Sequence, residues 1–186
     1  IGNTASPASV VLNFENGTNG LVVENGNALA EFNGFRLIGS TTGSGSGISV
    51  GYGSVLGCGS TATCGLEVSD FGSHGIYVHH GSVAGVRYAV VDGCGGDGIL
   101  VDDQSQVDAR DALIINTGAF GVNVKNHSYA DLDGSSVQLA GSSGYHIARG
   151  SMASIASSTS TLNQDYGDSV LDNSTVLGSN PQALDH

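Results

Sequence analysis

Glycine returns every 23 residues at Gly75, Gly98, Gly121 and Gly144, and each glycine opens a block whose chemistry repeats place by place. The four blocks read GIYVHHGSVAGVRYAVVDGCGGD, GILVDDQSQVDARDALIINTGAF, GVNVKNHSYADLDGSSVQLAGSS and GYHIARGSMASIASSTSTLNQDY, and a further block starts at Gly167. A unit this short cannot bury an inner face alone. The blocks must stack and share one core, which restricts the chain to a solenoid.

The second and fourth places are mostly apolar: Leu21 and Val23, Ile48 and Val50, Ile76 and Val78, Ile99 and Val101, Val122 and Val124, Tyr145 and Ile147. A spacing of two is that of a half-buried strand. The eighth place carries Asn27, Ser54, Ser82, Ser105, Ser128, Ser151 and Ser174, and the twelfth carries Val86, Ala109, Leu132 and Ile155. A third apolar cluster follows at Val90-Val91, Leu113 to Ile115, and Val137 with Leu139. Three short strands per block, separated by bends, predict an all-β parallel β-helix of about seven coils with equivalent residues ~4.8 Å apart. The opening glycine then serves a bend that needs either φ > 0 or close packing. The serine column is placed to satisfy its hydroxyls from coil to coil. A leucine-rich repeat has a similar period, but this chain has alanine, valine and serine where that pattern needs leucine and asparagine.

The expected organisation is a partial coil over 1–19, coils over 20–46, 47–74, 75–97, 98–120, 121–143 and 144–166, and a degenerate coil or cap over 167–186. The two longer coils accommodate their extra residues in Ser40–Ser46 and around Cys58–Cys64. In the last block Asp168 takes an inward apolar place, Gly178 the twelfth, and Pro181 interrupts the third strand. Ile1 and His186 look like the edges of an excised piece.

Composition narrows the partners. Five Lys+Arg against 17 Asp+Glu give a net charge of −12. Nothing neutralises a row of phosphates, so nucleic acid and anionic membrane surfaces are poor partners, and neither nucleic acid binding nor membrane insertion is expected. No apolar run reaches the ~20 residues of a bilayer span. The 3 cysteines lack metal-ligand spacing, and no cofactor fingerprint or metal site is expected. Cys58 and Cys64 either close a short loop as a disulfide or, with Cys94, are small buried residues.

The 23-residue coil, opening on G-h-x-[VI] with a small polar eighth place, resembles right-handed parallel β-helices of the pectate-lyase-like class. It is similar above all to those of bacteriophage tailspikes and tail fibres. The resemblance covers residues 20–177 and is one of pattern, without a catalytic motif. It implies a right-handed helix, a homotrimer, a place in the virion tail outside the cell, and contact with host surface polysaccharide. Polysaccharide lyases, hydrolases and epimerases share the fold, as do secreted bacterial adhesins and passenger domains, so fold alone does not assign a function.

Function must lie in the columns that vary. The third and fifth places of the first strand point outward, and Tyr77, His79, Asp102, Asn123, Lys125 and His146 make the richest polar patch there. These six are the carbohydrate-contact candidates, because aromatic faces pack on sugar rings. His79, Asp102 and Lys125 are also the residues a lyase would use as base and charge stabiliser. Opposite charges stacked on successive coils equally suit a solvated ladder with no function. His80 falls at the bend and His74 in the turn before Gly75. On the second strand, Arg87, Asp108, Arg110, Asp131 and Asp133 point outward. Asp131 and Asp133 have the spacing of a glycosidase carboxylate pair, and also that of ordinary outward acids.

Overall fold

The computed structural model describes residues 10–15, 17–58 and 64–178. The loop inside the cysteine pair and the places of Asn16 and Pro181 lie outside the described residues. Every strand is two or three residues long, and the described residues contain no helix.

The strands form three parallel seven-stranded sheets. The first sheet stacks Leu21–Val23, Ile48–Val50, Ile76–Val78, Ile99–Val101, Val122–Val124, Tyr145–Ile147 and Asp168–Val170. The second stacks Ala28–Leu29, Val55–Gly57, Val83–Gly85, Gln106–Asp108, Tyr129–Asp131, Met152–Ser154 and Thr175–Leu177. The third stacks Val11–Asn13, Arg36–Ile38, Glu67–Ser69, Val90–Asp92, Leu113–Ile115, Ser136–Gln138 and Thr159–Thr161. Pairing is in register from coil to coil: Ile99 lies beside Ile76 and Val122, Val107 beside Ala84 and Ala130, and Ile114 beside Val91 and Val137. The chain is a parallel β-solenoid of about seven coils, as the 23-residue period predicts.

The core is the inward column of each sheet. Ile76, Val78, Ile99, Val101, Val122 and Val124 are fully buried, as are Val86, Val91, Ala109, Ile114, Leu132 and Val137. The stripe changes character at Tyr145, whose Oη reaches across the interior. It lies 2.9 Å from Ser135 Oγ and donates to one of the carbonyls of Ser135 and Thr159, each at 3.2 Å. A buried phenol needs such partners.

The opening glycines are required by close packing. A Cβ on Gly75 would stand 2.7 Å from the carbonyl oxygen of Gly98 and 2.3 Å from Val91 Cγ1, and one on Gly98 would stand 2.6 Å from the oxygen of Gly121. The left-handed residues lie elsewhere. The sixth place, Asn25, Tyr52, His80, Asp103, Asn126, Arg149 and Asp172, has φ between 51° and 63°. The fourteenth (Tyr88, Asp111, Gly134, Ser157) and nineteenth (Gly93, Asn116, Leu139, Leu162) are also at positive φ. Leu139, expected in the third apolar cluster, is therefore a corner residue and is exposed.

The serine column forms the expected ladder, with the backbone as donor. The N–H groups of Ser54, Ser82, Ser105, Ser128 and Ser151 each donate to the hydroxyl oxygen of the serine one coil on, at 3.1–3.2 Å. The bend takes that amide out of the sheet ladder, and the hydroxyl replaces the missing carbonyl.

Both longer coils keep this frame. Three of the four extra residues of the first lie between Arg36–Ile38 and Ile48–Val50, and one lies between its second and third strands. All five extra residues of the second lie between Val55–Gly57 and Glu67–Ser69. There Cys58 and Cys64 are joined by a disulfide, with Cα atoms 5.2 Å apart. Cys94 is a buried free thiol whose pKa burial pushes up to about 11.

Candidate functional site

The outward column of the first sheet lies between two rows of turn residues. On one side stand His74, Asp97 and Phe120, just ahead of the opening glycines. On the other stand the left-handed corner residues Tyr52, His80, Asp103, Asn126 and Arg149. These walls cover the floor. Ser49 is 5 % exposed, Leu100 4 %, Asn123 6 %, His79 6 % and Asp102 9 %. A plain solvated strand face would leave such residues open, so this is a lined trough.

One end of the trough is a cluster of rings. The His79 imidazole stacks on Tyr77 with centroids 4.2 Å apart and 20° between planes. Tyr52 stacks on His80 at 4.6 Å and meets His79 edge-on at 5.5 Å. His79 Nε2 lies 3.2 Å from Ser49 Oγ, and its Nδ1 lies 2.6 Å from His80 Nδ1. Burial, reinforced by His80, holds the His79 pKa below the usual 6.5. Gly51 leaves the room, since a Cβ there would sit 2.4 Å from His79 Cε1. Burial also raises the Tyr77 phenol, with Asp102 adding to the effect.

The middle is a polar lattice. Lys125 Nζ is 3.4 Å from Asp102 Oδ2, while Asp102 Oδ1 accepts from Asn126 Nδ2 at 2.6 Å and from the Asp103 N–H at 2.8 Å. Asp97 ties three coils together. Its Oδ1 accepts from the Phe120 N–H at 3.1 Å, its Oδ2 from Asn123 Nδ2 at 3.0 Å, and its own N–H donates to His74 Nδ1 at 3.1 Å. His74 Nδ1 is thus an acceptor, so its 3.7 Å approach to Asp97 Oδ2 is not an ion pair. Burial lowers the His74 pKa in keeping with a neutral ring. At the far end Phe120 stacks on His146, centroids 4.3 Å apart and 12° between planes. His146 Nδ1 is 3.3 Å from Ser169 Oγ, and burial lowers its pKa too.

All six sequence candidates, Tyr77, His79, Asp102, Asn123, Lys125 and His146, therefore lie in one trough. Ion pairing joins Asp102 to Lys125 and stacking joins Tyr77 to His79. Asn123 is held by Asp97, and His146 lies under Phe120. Tyr52, Asp97 and Phe120 escaped sequence reasoning because they are turn residues outside the strand alternation. The only signal for them is position: two come directly before an opening glycine and one sits at the sixth place.

On the second sheet the acids are engaged. Arg87 Nη2 is 2.7 Å and Arg110 Nη2 2.8 Å from Asp108 Oδ2, and Arg110 Nε is 3.2 Å from Asp131 Oδ2. Asp133 Oδ1 accepts from Ser154 Oγ at 2.6 Å and the Ala156 N–H at 2.8 Å. Asp133 Oδ1 thus closes a bend. Among the described residues no group of three or more His, Cys, Asp or Glu is arranged to hold a metal ion.

Compared with protein-family models, curated proteins and solved structures, the chain matches none.

Proposed function

We propose that this chain is a segment of a β-helical shaft, of the kind found in phage tail fibres and tailspikes, that binds host surface polysaccharide along the trough of the first sheet. The shaft is homotrimeric and extracellular in this reading. One observation carries the binding role: the atoms that acid–base chemistry would need are already in use. Both ring nitrogens of His79 face protein partners, both oxygens of Asp102 are occupied, and Lys125 is paired with Asp102. A general base must have its lone pair within reach of a substrate proton. The ring edges and faces of Tyr52, Tyr77, His80, Phe120 and His146 remain as a discontinuous axial row. From Tyr77 to His146 it spans three coils, roughly 14 Å at ~4.8 Å per coil. That row suits successive sugars of an extended chain, with Lys125 and Arg149 as donors between them.

The test is an array of bacterial capsular and O-antigen polysaccharides probed with the intact chain. Retention on a subset is expected, weakened about tenfold by Tyr77→Ala or His146→Ala, with no release of oligosaccharide. Release that is abolished by His79→Ala or Asp102→Ala would replace this reading with a lyase, hydrolase or epimerase. A monomer by light scattering would remove the trimeric fibre.

A further inference from the structure

The second sheet carries a cavity unrelated to the trough. It has a volume of about 380 Å³ and is lined by Val83, Gly85, Gln106, Asp108, Tyr129 and Asp131. This size is within the range of sites for small organic molecules.

Gly85 creates it, and the fold does not require glycine there. Its φ is not in the left-handed region, and among the described residues the only atom within 4 Å of a Cβ placed on it is the Leu56 carbonyl oxygen, at 4.0 Å. The opening glycines are different, since a Cβ on them would collide with the next coil. Glycine weakens a strand and often marks a place where a ligand approaches the backbone. On the next two coils the same place carries Asp108 and Asp131, so the bare backbone of Gly85 faces a wall of carboxylates.

The walls differ in kind. Val83 and the half-buried Tyr129 ring form an apolar side, separated by the exposed Gln106 amide. Asp108 and Asp131 form the polar side, bridged by Arg110, with Arg87 also on Asp108. Asp108 is neutralised by two guanidiniums. Asp131 has Arg110 on Oδ2 alone, and its Oδ1 receives only a long 3.5 Å contact from the Asp133 N–H. Burial, more than its neighbours, raises the Asp131 pKa.

We infer that this cavity is a second ligand site that takes one neutral pyranose ring. Its apolar C–H face lies against Tyr129 and Val83 above Gly85, and its hydroxyls donate to Asp131 Oδ1 and exchange hydrogen bonds with Gln106. An anion is disfavoured by the local acids and the net charge of −12, and a cation would have to compete with Arg110 for Asp131. A ring that is apolar on one face and hydroxylated at its rim matches both walls. The assignment stands independently of the trough.

The experiment titrates the full chain with methyl glycosides of glucose, galactose, mannose and N-acetylglucosamine, followed by amide NMR shifts. At least one is expected to shift amides of 83–85, 106–108 and 129–131 with millimolar affinity. Gly85→Leu puts an apolar side chain into the cavity from a position where a Cβ meets only the Leu56 carbonyl oxygen among the described residues, at 4.0 Å, and Tyr129→Ala removes the ring. Each lowers affinity at least about tenfold. Tyr77→Ala leaves this binding unchanged, which separates it from the trough. Absence of shifts with all four glycosides, shifts confined to the first sheet, or unaltered affinity in Gly85→Leu would overturn the assignment. So would dissociation of a trimer by Gly85→Leu, which would make this face a contact between copies.

Discussion

The Nδ1 atoms of His79 and His80 stand 2.6 Å apart, close enough to share one proton and too close to hold two. Glu24, Asp102 and Asp103 favour charging His79, while burial and His80 oppose it, and the net shift is downward. As pH falls, the unfolded chain therefore takes up this proton first. The stability His79 contributes is present above about pH 6.5 and is lost between that value and its lowered folded-state pKa. His74 and His146 shift in the same direction and add to the effect. The urea midpoint is expected to fall between pH 7 and pH 5. His80→Ala opens Nδ1 of His79 and removes the like charge, so NMR titration of the imidazole should show the His79 pKa moving up toward 6.5. An unchanged His79 titration would show that the contact does not set it.

The serine ladder is a set of separable contacts. Ser105 Oγ accepts the Ser82 amide at 3.1 Å, and both residues are buried. Ser105→Ala strands that N–H between coils, so the expected loss is about 1–3 kcal/mol. Ser105→Thr keeps the oxygen and should recover most of it. Denaturant unfolding distinguishes the two variants, with a lower midpoint at unchanged slope marking a local loss.

Gly98→Ala tests the packing of the opening glycines. Its Cβ would stand 2.4 Å from Ile114 Cγ2 and 2.6 Å from the Gly121 carbonyl oxygen. Backbone oxygen in a stacked coil has nowhere to move, so a loss of about 3 kcal/mol, at the upper end of overpacking, is expected. Gly85→Ala, in open space, should be neutral or stabilising, because glycine in a strand costs about 1 kcal/mol relative to alanine. Thermal melts of the two variants should move in opposite directions or differ by many degrees.

The coil was legible because its constraint is repeated. Ile76, Ile99 and Val122 must all face inward, and only a 23-residue register lets them. Ser82, Ser105 and Ser128 announced a bend for the same reason. The cause of the glycine period was not legible, since a left-handed corner and a crowded coil both select glycine. The trough was half legible. Tyr77, His79 and Asn123 lie on the strand alternation, whereas Tyr52, Asp97 and Phe120 reach it from turns whose direction depends on three-dimensional packing. Hence the sequence names the outward strand residues, and the structure adds the turn residues that wall them. The cavity at Gly85 was invisible for a related reason: a glycine required by packing and one that leaves a space look the same in a string of letters.

Asp168 marks where the solenoid stops following its own rule. It pairs with Tyr145 at the inward place that Ile76, Ile99 and Val122 fill in earlier coils, and among the described residues its buried Oδ1 has no hydrogen-bond partner. Burial raises its pKa. The folded state therefore holds this proton more tightly than the unfolded chain. Asp168 costs little in acid, grows more destabilising as pH rises from about 3.8 through its folded-state value, and is constant above that. Asp168→Val restores the apolar column over a partly exposed coil. It should stabilise the chain by about 1 kcal/mol at neutral pH, below the value for a fully buried side chain. The gain should shrink toward pH 4, close to the unfolded-state value of about 3.8, where little of the cost of keeping the carboxyl un-ionised in the fold remains. Urea midpoints of the two proteins at pH 4 and pH 7 measure it. A gain independent of pH would assign the effect to packing alone, and a loss at pH 7 would show that the carboxylate is part of how this coil is held.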